Sequence, residues 1–152
     1  MKRLITMMAA VMSVGLVSEV SAGPVEEVAQ IAGPRLQALQ DGNLDAYTAA
    51  FADDAVFQSS LSAFRIEGRD AIRAYFAELV KLYPTRRILL RQRAVRAYND
   101  DLVVQNGYAI LYLTDQKGQV TTLHTRFSVT WAKLDGRWQI VDQHSSRLHV
   151  AP

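Results

Sequence analysis

The chain has 152 residues, with 17 basic and 15 acidic side chains and no cysteine. That near balance excludes the strongly basic character of a nucleic-acid binder. The missing thiols exclude a disulfide framework, thiol catalysis and thiolate metal sites. The length fits one domain with enough residues to bury a core.

Lys2-Arg3 precede an apolar stretch from Leu4 to Val17, and Val20-Ser21-Ala22 offers the small-x-small pattern that a signal peptidase reads. The stretch is short for a bilayer span of roughly 20 residues. The expectation is an export signal over residues 1–22, cleaved to leave a periplasmic or secreted domain over 23–152 with no stable membrane insertion. An uncleaved N-terminal anchor is the alternative.

Val25, Val28, Ile31, Leu36 and Leu39 recur at loosely helical spacing. Gly33-Pro34 should kink or split that helix, because proline lacks a donor and clashes with the preceding turn. "DGN" at 41–43 ends it, and Asn43 is placed to cap a second short helix, "LDAYTAAF", with Asp45 in its first turn. Short strands are expected at "AVFQSS" and "FRIEG". Gly68 and Asp70 then open a third helix to about Leu82, with Ile72, Phe76, Leu79 and Val80 as its apolar stripe. From Arg87 the period becomes two, giving four strands over Arg87–Tyr98, Leu102–Thr114, Val120–Leu134 and Arg137–Ser146. Helices followed by a run of antiparallel strands predict an α+β fold with helices on one face of a curved sheet.

The last hairpin carries the chemistry. Asp142 and His144 share a face by strand alternation. A two-residue Asp135-Gly136 turn pairs Phe127 with His144, whereas a three-residue loop pairs Arg126 with His144. The three-residue loop separates polar from apolar more cleanly. It gathers Arg126, Ser128, Thr130, Ile140, Asp142 and His144 in one strip, opposite Phe127, Val129, Trp131 and Val141. Such a strip lines a pocket, closes a subunit interface or lies in solvent. In a pocket, Arg126 offers a planar fork to a carboxylate or phosphate, and Asp142 orients His144 as a candidate acid/base. Tyr47 and Tyr75 sit on helices that cap the sheet, so each is either a pocket hydroxyl or an amphipathic core edge. The basic run "RRILLRQRAVR" reads as a solvated strand face, with an anion pocket or subunit contact as alternatives. Asp142 and His144 are too few for a metal site, and no dinucleotide or phosphate-binding glycine pattern occurs, so neither metal nor cofactor is expected.

"GNLDAYTAAFADDAVFQ", "RIEGRDAIRAYFAEL" and "WAKLDGRWQIVDQHSS" together resemble the association (hub) domain of calcium/calmodulin-dependent protein kinase II. They are still more similar to its bacterial stand-alone relatives, the SgcJ/EcaC group of SnoaL-like proteins in the nuclear transport factor two-like superfamily. The most specific pieces are Tyr-Thr leading to Asp-Asp-Ala-Val-Phe, Glu-Gly before Tyr75-Phe76, and Trp-x-x-x-Asp-Gly-x-Trp followed by His-x-Ser. The resemblance runs from about Val25 to Ser146. It implies a cone-shaped, cystatin-like roll with about three helices over a bent sheet, a pocket between them, and homo-oligomers formed through the sheet's outer face. His144 and Ser146 match the family's His-x-Ser, and Arg126 falls near an arginine common in the bacterial group. Pocket arginines of the kinase hub fall at Val129 and Ser145, so the hub's small-acid ligand does not carry over. Kinase activity and calmodulin regulation are not implied. Three readings follow: a ligand-binding or self-associating module holding a small acidic or oxygenated molecule through Arg126, Asp142 and His144; an enzyme for proton transfer or hydration with His144 as acid/base; or a purely structural oligomer.

Overall fold

The computed structural model describes residues 22–148. The expected export signal therefore lies, apart from Ala22, outside the described residues. Helix α1 spans Pro24–Asp41 and α2 spans Leu44–Thr48. Strands β1 (Phe51–Gln58) and β2 (Ile66–Glu67) follow, then α3 (Arg69–Leu82). Four long strands complete the chain: β3 (Thr85–Asn99), β4 (Leu102–Thr114), β5 (Val120–Leu134) and β6 (Arg137–Arg147). They form one six-stranded sheet in the order β2-β1-β6-β5-β4-β3. All neighbours are antiparallel except β1, which lies parallel to β6. Among the described residues no helix is long and apolar enough to cross a membrane.

Helix α1 runs unbroken through Pro34, against the expected split. Val28, Ile31 and Ala32 before the proline and Arg35 and Leu39 after it fall on one stripe facing the core, so both halves of the helix pack against the same interior. Gly33, Pro34 and Gln30 are exposed, where water can satisfy the carbonyl that loses its donor. The helix ends at Gly42 (φ +80°), where the amides of Gly42 and Asn43 reach back to the carbonyls of Leu39 and Ala38 at 3.2 and 2.8 Å. Asn43 then caps α2, its Oδ1 accepting from the Ala46 amide at 3.1 Å. Strand β1 begins at Phe51, earlier than expected, because Phe51 and Ala52 are core residues beside Ile140.

Arg86 ties these pieces together. It is buried and donates to the carbonyls of Leu39 (3.1 Å) and Gln40 (3.0 Å) at the end of α1, and of Tyr83 (2.6 Å) and Pro84 (3.0 Å) just past α3. Helix C-termini leave carbonyls unpaired, and a guanidinium satisfies several at once.

Two of the register shifts in the sheet bear on the site. Between the Arg91–Tyr108 and Ala94–Asn106 pairs, two residues of β3 oppose Gly107 alone, and Gln92 takes φ +45°. A Cβ on Gly107 would stand 3.1 Å from the Arg91 carbonyl oxygen, so only glycine fits without a shift. The second bulge lies in β6. Asp135 and Gly136 both have positive φ and make a two-residue turn pairing Leu134 with Arg137, not the expected three-residue loop. The register then slips at Val141, so Trp131 opposes Ile140 but Thr130 opposes Asp142. Ile140, expected in the polar strip, is instead fully buried against the Trp131 level of the core.

Candidate functional site

The inner face of the sheet and helices α1, α2 and α3 enclose a cavity of about 130 Å³. Apolar side chains dominate its wall: Leu36, Leu39, Phe57, Phe76, Leu79, Ile88, Leu111 and Phe127. Tyr47, Ser59, Ser60, Tyr75, Gln105, Gln143, Arg35 and Arg86 supply the polar groups. A mostly apolar hollow with a few fixed polar groups is the ordinary form of a small-molecule site.

Both tyrosines singled out from sequence line this cavity. Tyr47 is fully buried, edge-on to Phe51 and Phe76. Its phenol is pushed up by burial, opposed by the Arg35 charge and by Gln143. Tyr75 shares a hydrogen bond of 2.6 Å with Ser59 Oγ; burial raises its phenol too, with Ser59 opposing. Both therefore stay protonated at neutral pH and serve as hydroxyl donors or acceptors.

Arg126, Asp142 and His144 sit elsewhere. The register sets Arg126 opposite Ser146, Ser128 opposite His144, and Thr130 opposite Asp142, all on the outer face of the sheet. Arg126 and His144 are exposed and border a shallow surface hollow with Gln92, Asn106 and Tyr108. Arg126 Nε donates to Ser146 Oγ at 3.1 Å, and Asp142 is half-buried. None of the three lines the inner cavity, so the expectation that they share the cone pocket is corrected. Arg126 turns out because Phe127, Val129 and Trp131 of the same strand turn in, and the Val141 slip carries Asp142 and His144 to that same outer face. In a regular strand with the observed two-residue turn, His144 would oppose Phe127 and face inward. The extra residue turns Gln143 in and His144 out.

Arg35 is the polar group that sequence reasoning missed. It is 9% exposed, and its Nη2 donates to Gln143 Oε1 at 2.8 Å. Its guanidinium carbon lies 4.2 Å from the centroid of the Tyr47 ring and 4.6 Å from that of Phe51. Nε is buried with no partner, and among the described residues no carboxylate pairs with it. Burial pushes its pKa down, with Tyr47 opposing, yet a guanidinium keeps its charge near neutrality. The signal was present in sequence: Arg35 stands on the stripe Val28, Ile31, Ala32, Leu39, where an apolar residue belongs.

At the mouth of α1, Glu27 receives the Trp138 indole N–H at 2.5 Å and the Lys133 ammonium at 2.8 Å, fixing the helix to the β5–β6 hairpin. None of the cavity-lining residues is Asp, Glu, His or Lys. The polar groups the cavity presents are hydroxyls, amides and guanidinium groups, donors and acceptors that suit an oxygenated group.

The sequence profile of the calcium/calmodulin dependent protein kinase II association domain matches residues 25–149. Among solved structures, a candidate association domain of this kind from Xanthomonas campestris is 28% identical, with a TM-score of 0.73, covering 84% of this chain and 93% of that one. A nuclear transport factor two-like protein of unknown function from Pseudomonas putida KT2440 shares the fold at 22% identity and a TM-score of 0.71, over 80% and 84% of the two chains. So does a candidate dehydratase of the same fold family from Streptomyces avermitilis, at 12% identity and a TM-score of 0.73, over 83% and 97%. The comparison with curated proteins finds no match. With helices over a bent sheet, a cavity between them, and a family match spanning almost all of the described chain, the protein belongs to the calcium/calmodulin dependent protein kinase II association-domain family.

Proposed function

We propose that the chain is an exported, self-associating module that holds a small oxygenated organic molecule in the cavity between helices and sheet. The observation that carries the ligand reading is the cavity's wall, mostly apolar with hydroxyl, amide and guanidinium groups of Tyr47, Ser59, Ser60, Tyr75, Gln105, Gln143, Arg35 and Arg86 set into it. The absence of carboxylate and imidazole from that wall favours binding over the proton-transfer chemistry considered for His144. Self-association rests on family membership and on the outer sheet face, where the register sets Leu89 beside Ile110 and Arg91 beside Tyr108. Export rests on the leader-like residues 1–22.

Thermal-shift screening against small acids, phenols, ketones and alcohols tests the ligand reading. At least one class should raise the melting temperature, and Leu79→Trp, which fills the cavity, should abolish the response. A library without any effect refutes it. Sedimentation of the same preparation should give a discrete oligomer that Tyr108→Glu dissociates, and a monomer at all concentrations refutes the self-association.

A further inference from the structure

We infer, resting on the self-association proposed above, that a free, multiply charged oxyanion such as phosphate binds in a trough on the outer sheet face, with Arg126 as its main ligand, and bridges two copies of the chain there. Strands β3, β4 and β5 contain no aspartate or glutamate, and β6 contains one, the half-buried Asp142. Ile88, Leu90 and Phe127 line the inner cavity and Val95 packs on the core, so Arg87, Arg91, Arg96 and Arg126 point outward by strand alternation. No carboxylate among the described residues pairs with any of these four. A symmetric pair presents the same patch from both sides, so copies meeting through this face bring cations against cations. Like-charge contact opposes association, and an anion held between the copies relieves it.

The trough gives the anion a defined place. One cross-strand row of the outer face runs Arg91, Tyr108, Arg126, Ser146, and the next runs Ala94, Asn106, Ser128, His144. Short side chains thus floor a hollow beside the taller Tyr108 and Arg126, and His144 closes its end. In a regular β3, Arg93 would oppose Asn106 and fill that space; the bulge sets Ala94 there instead. Arg126 Nε donates to Ser146 Oγ at 3.1 Å, which fixes the guanidinium and leaves its two Nη groups for an anion. Gln92, Asn106, Ser128 and the Tyr108 hydroxyl add donors, and no carboxylate lines the trough. Arg91 stands two strands from Arg126, about 10 Å away at the backbone, with Tyr108 between them. Two such cations from each copy call for more charge than a monoanion carries.

Sedimentation equilibrium of the full chain in chloride and in millimolar inorganic phosphate, at matched ionic strength and pH, tests this. Phosphate should lower the dissociation constant for self-association at least about tenfold, as linkage to anion uptake requires. Arg126→Gln, a change at an exposed side chain, should melt with the parent and associate equally in both salts. Arg126→Lys, which keeps the charge but loses the fork, serves as the second variant and should shrink the phosphate effect severalfold. Equal association of the parent in both salts overturns the bridging anion while leaving the self-association intact. A monomer in both salts refutes the self-association, and the bridge with it. A phosphate effect that survives in Arg126→Gln marks salting-out or an anion held elsewhere, and it also overturns the assignment.

Discussion

Replacing Arg86 by methionine isolates the residue that joins the two long helices to the sheet. Arg86 is 6% exposed, and its guanidinium gives hydrogen bonds to the Leu39, Gln40, Tyr83 and Pro84 carbonyls at 2.6–3.1 Å. Hydrogen bonds from a charged donor contribute about 1.5–3 kcal/mol each, and the Leu39 carbonyl keeps a bond from the Gly42 amide at 3.2 Å. Against the lost bonds stands the desolvation of the arginine, relieved in the variant. The net expectation is a loss of about 3 kcal/mol, a fall in melting temperature of roughly 10 °C for a domain of this size. Urea unfolding followed by the fluorescence of Trp131 and Trp138 measures it, with an unchanged m-value showing that the same surface is exposed. Arg86→Lys should recover less than half, since one ammonium cannot reach both helix ends. A loss under about 1 kcal/mol for Arg86→Met would show that the carbonyls find other donors and would refute the account.

Gly107→Ala forces a Cβ to within 3.1 Å of the Arg91 oxygen and of the Arg93 Cα, both backbone atoms, and should cost about 1–3 kcal/mol in the same unfolding assay. Asn43→Ala removes the acceptor for the Ala46 amide and should cost about 1 kcal/mol, with Asn43→Asp near neutral. Glu27 is held below its ordinary value of about 4.5, first by the Lys133 hydrogen bond and then by Trp138, with desolvation opposing. Its contribution is therefore complete above that value and is lost as pH falls through the lowered one, so Glu27→Gln should flatten the acid limb of the stability–pH profile. Lys133 is raised by the same bond, so its share is complete below its ordinary 10.5 and is lost as pH climbs through the raised value.

Much of the fold was legible because polar punctuation bounds each long strand. Leu102–Thr114 and Val120–Leu134 begin and end where the sequence reading set them, between "NDD", "DQKG" and "DG". Asn43 capped as its type and place suggested. The parallel pairing of β1 with β6 was not legible, since it joins segments more than 80 residues apart with no local mark. Nor was the continuity of α1 through Pro34, where tertiary burial on both sides of the proline outweighs a local penalty. The site was harder still. Period-two alternation carries no trace of a bulge, so a single slip at Val141 reversed which of Gln143 and His144 reaches the interior. Arg35 had a readable signal, a cation on a hydrophobic stripe, although one arginine among apolar residues stands out less than the hairpin's denser cluster of ionisable residues.

The slip in β6 also gives this segment slack. Because Val141 stands without a cross-strand partner, the chain can lose one residue there and still oppose Ile140 to Trp131 and Gln143 to Val129. The strand would straighten locally, yet the inventory of groups facing the hollow would survive. Gaining a paired residue is the dangerous change, because it would swap an amide for an imidazole inside the cone. Length variation at this bulge thus has two unequal directions, one tolerated and one that rewrites the chemistry of the interior.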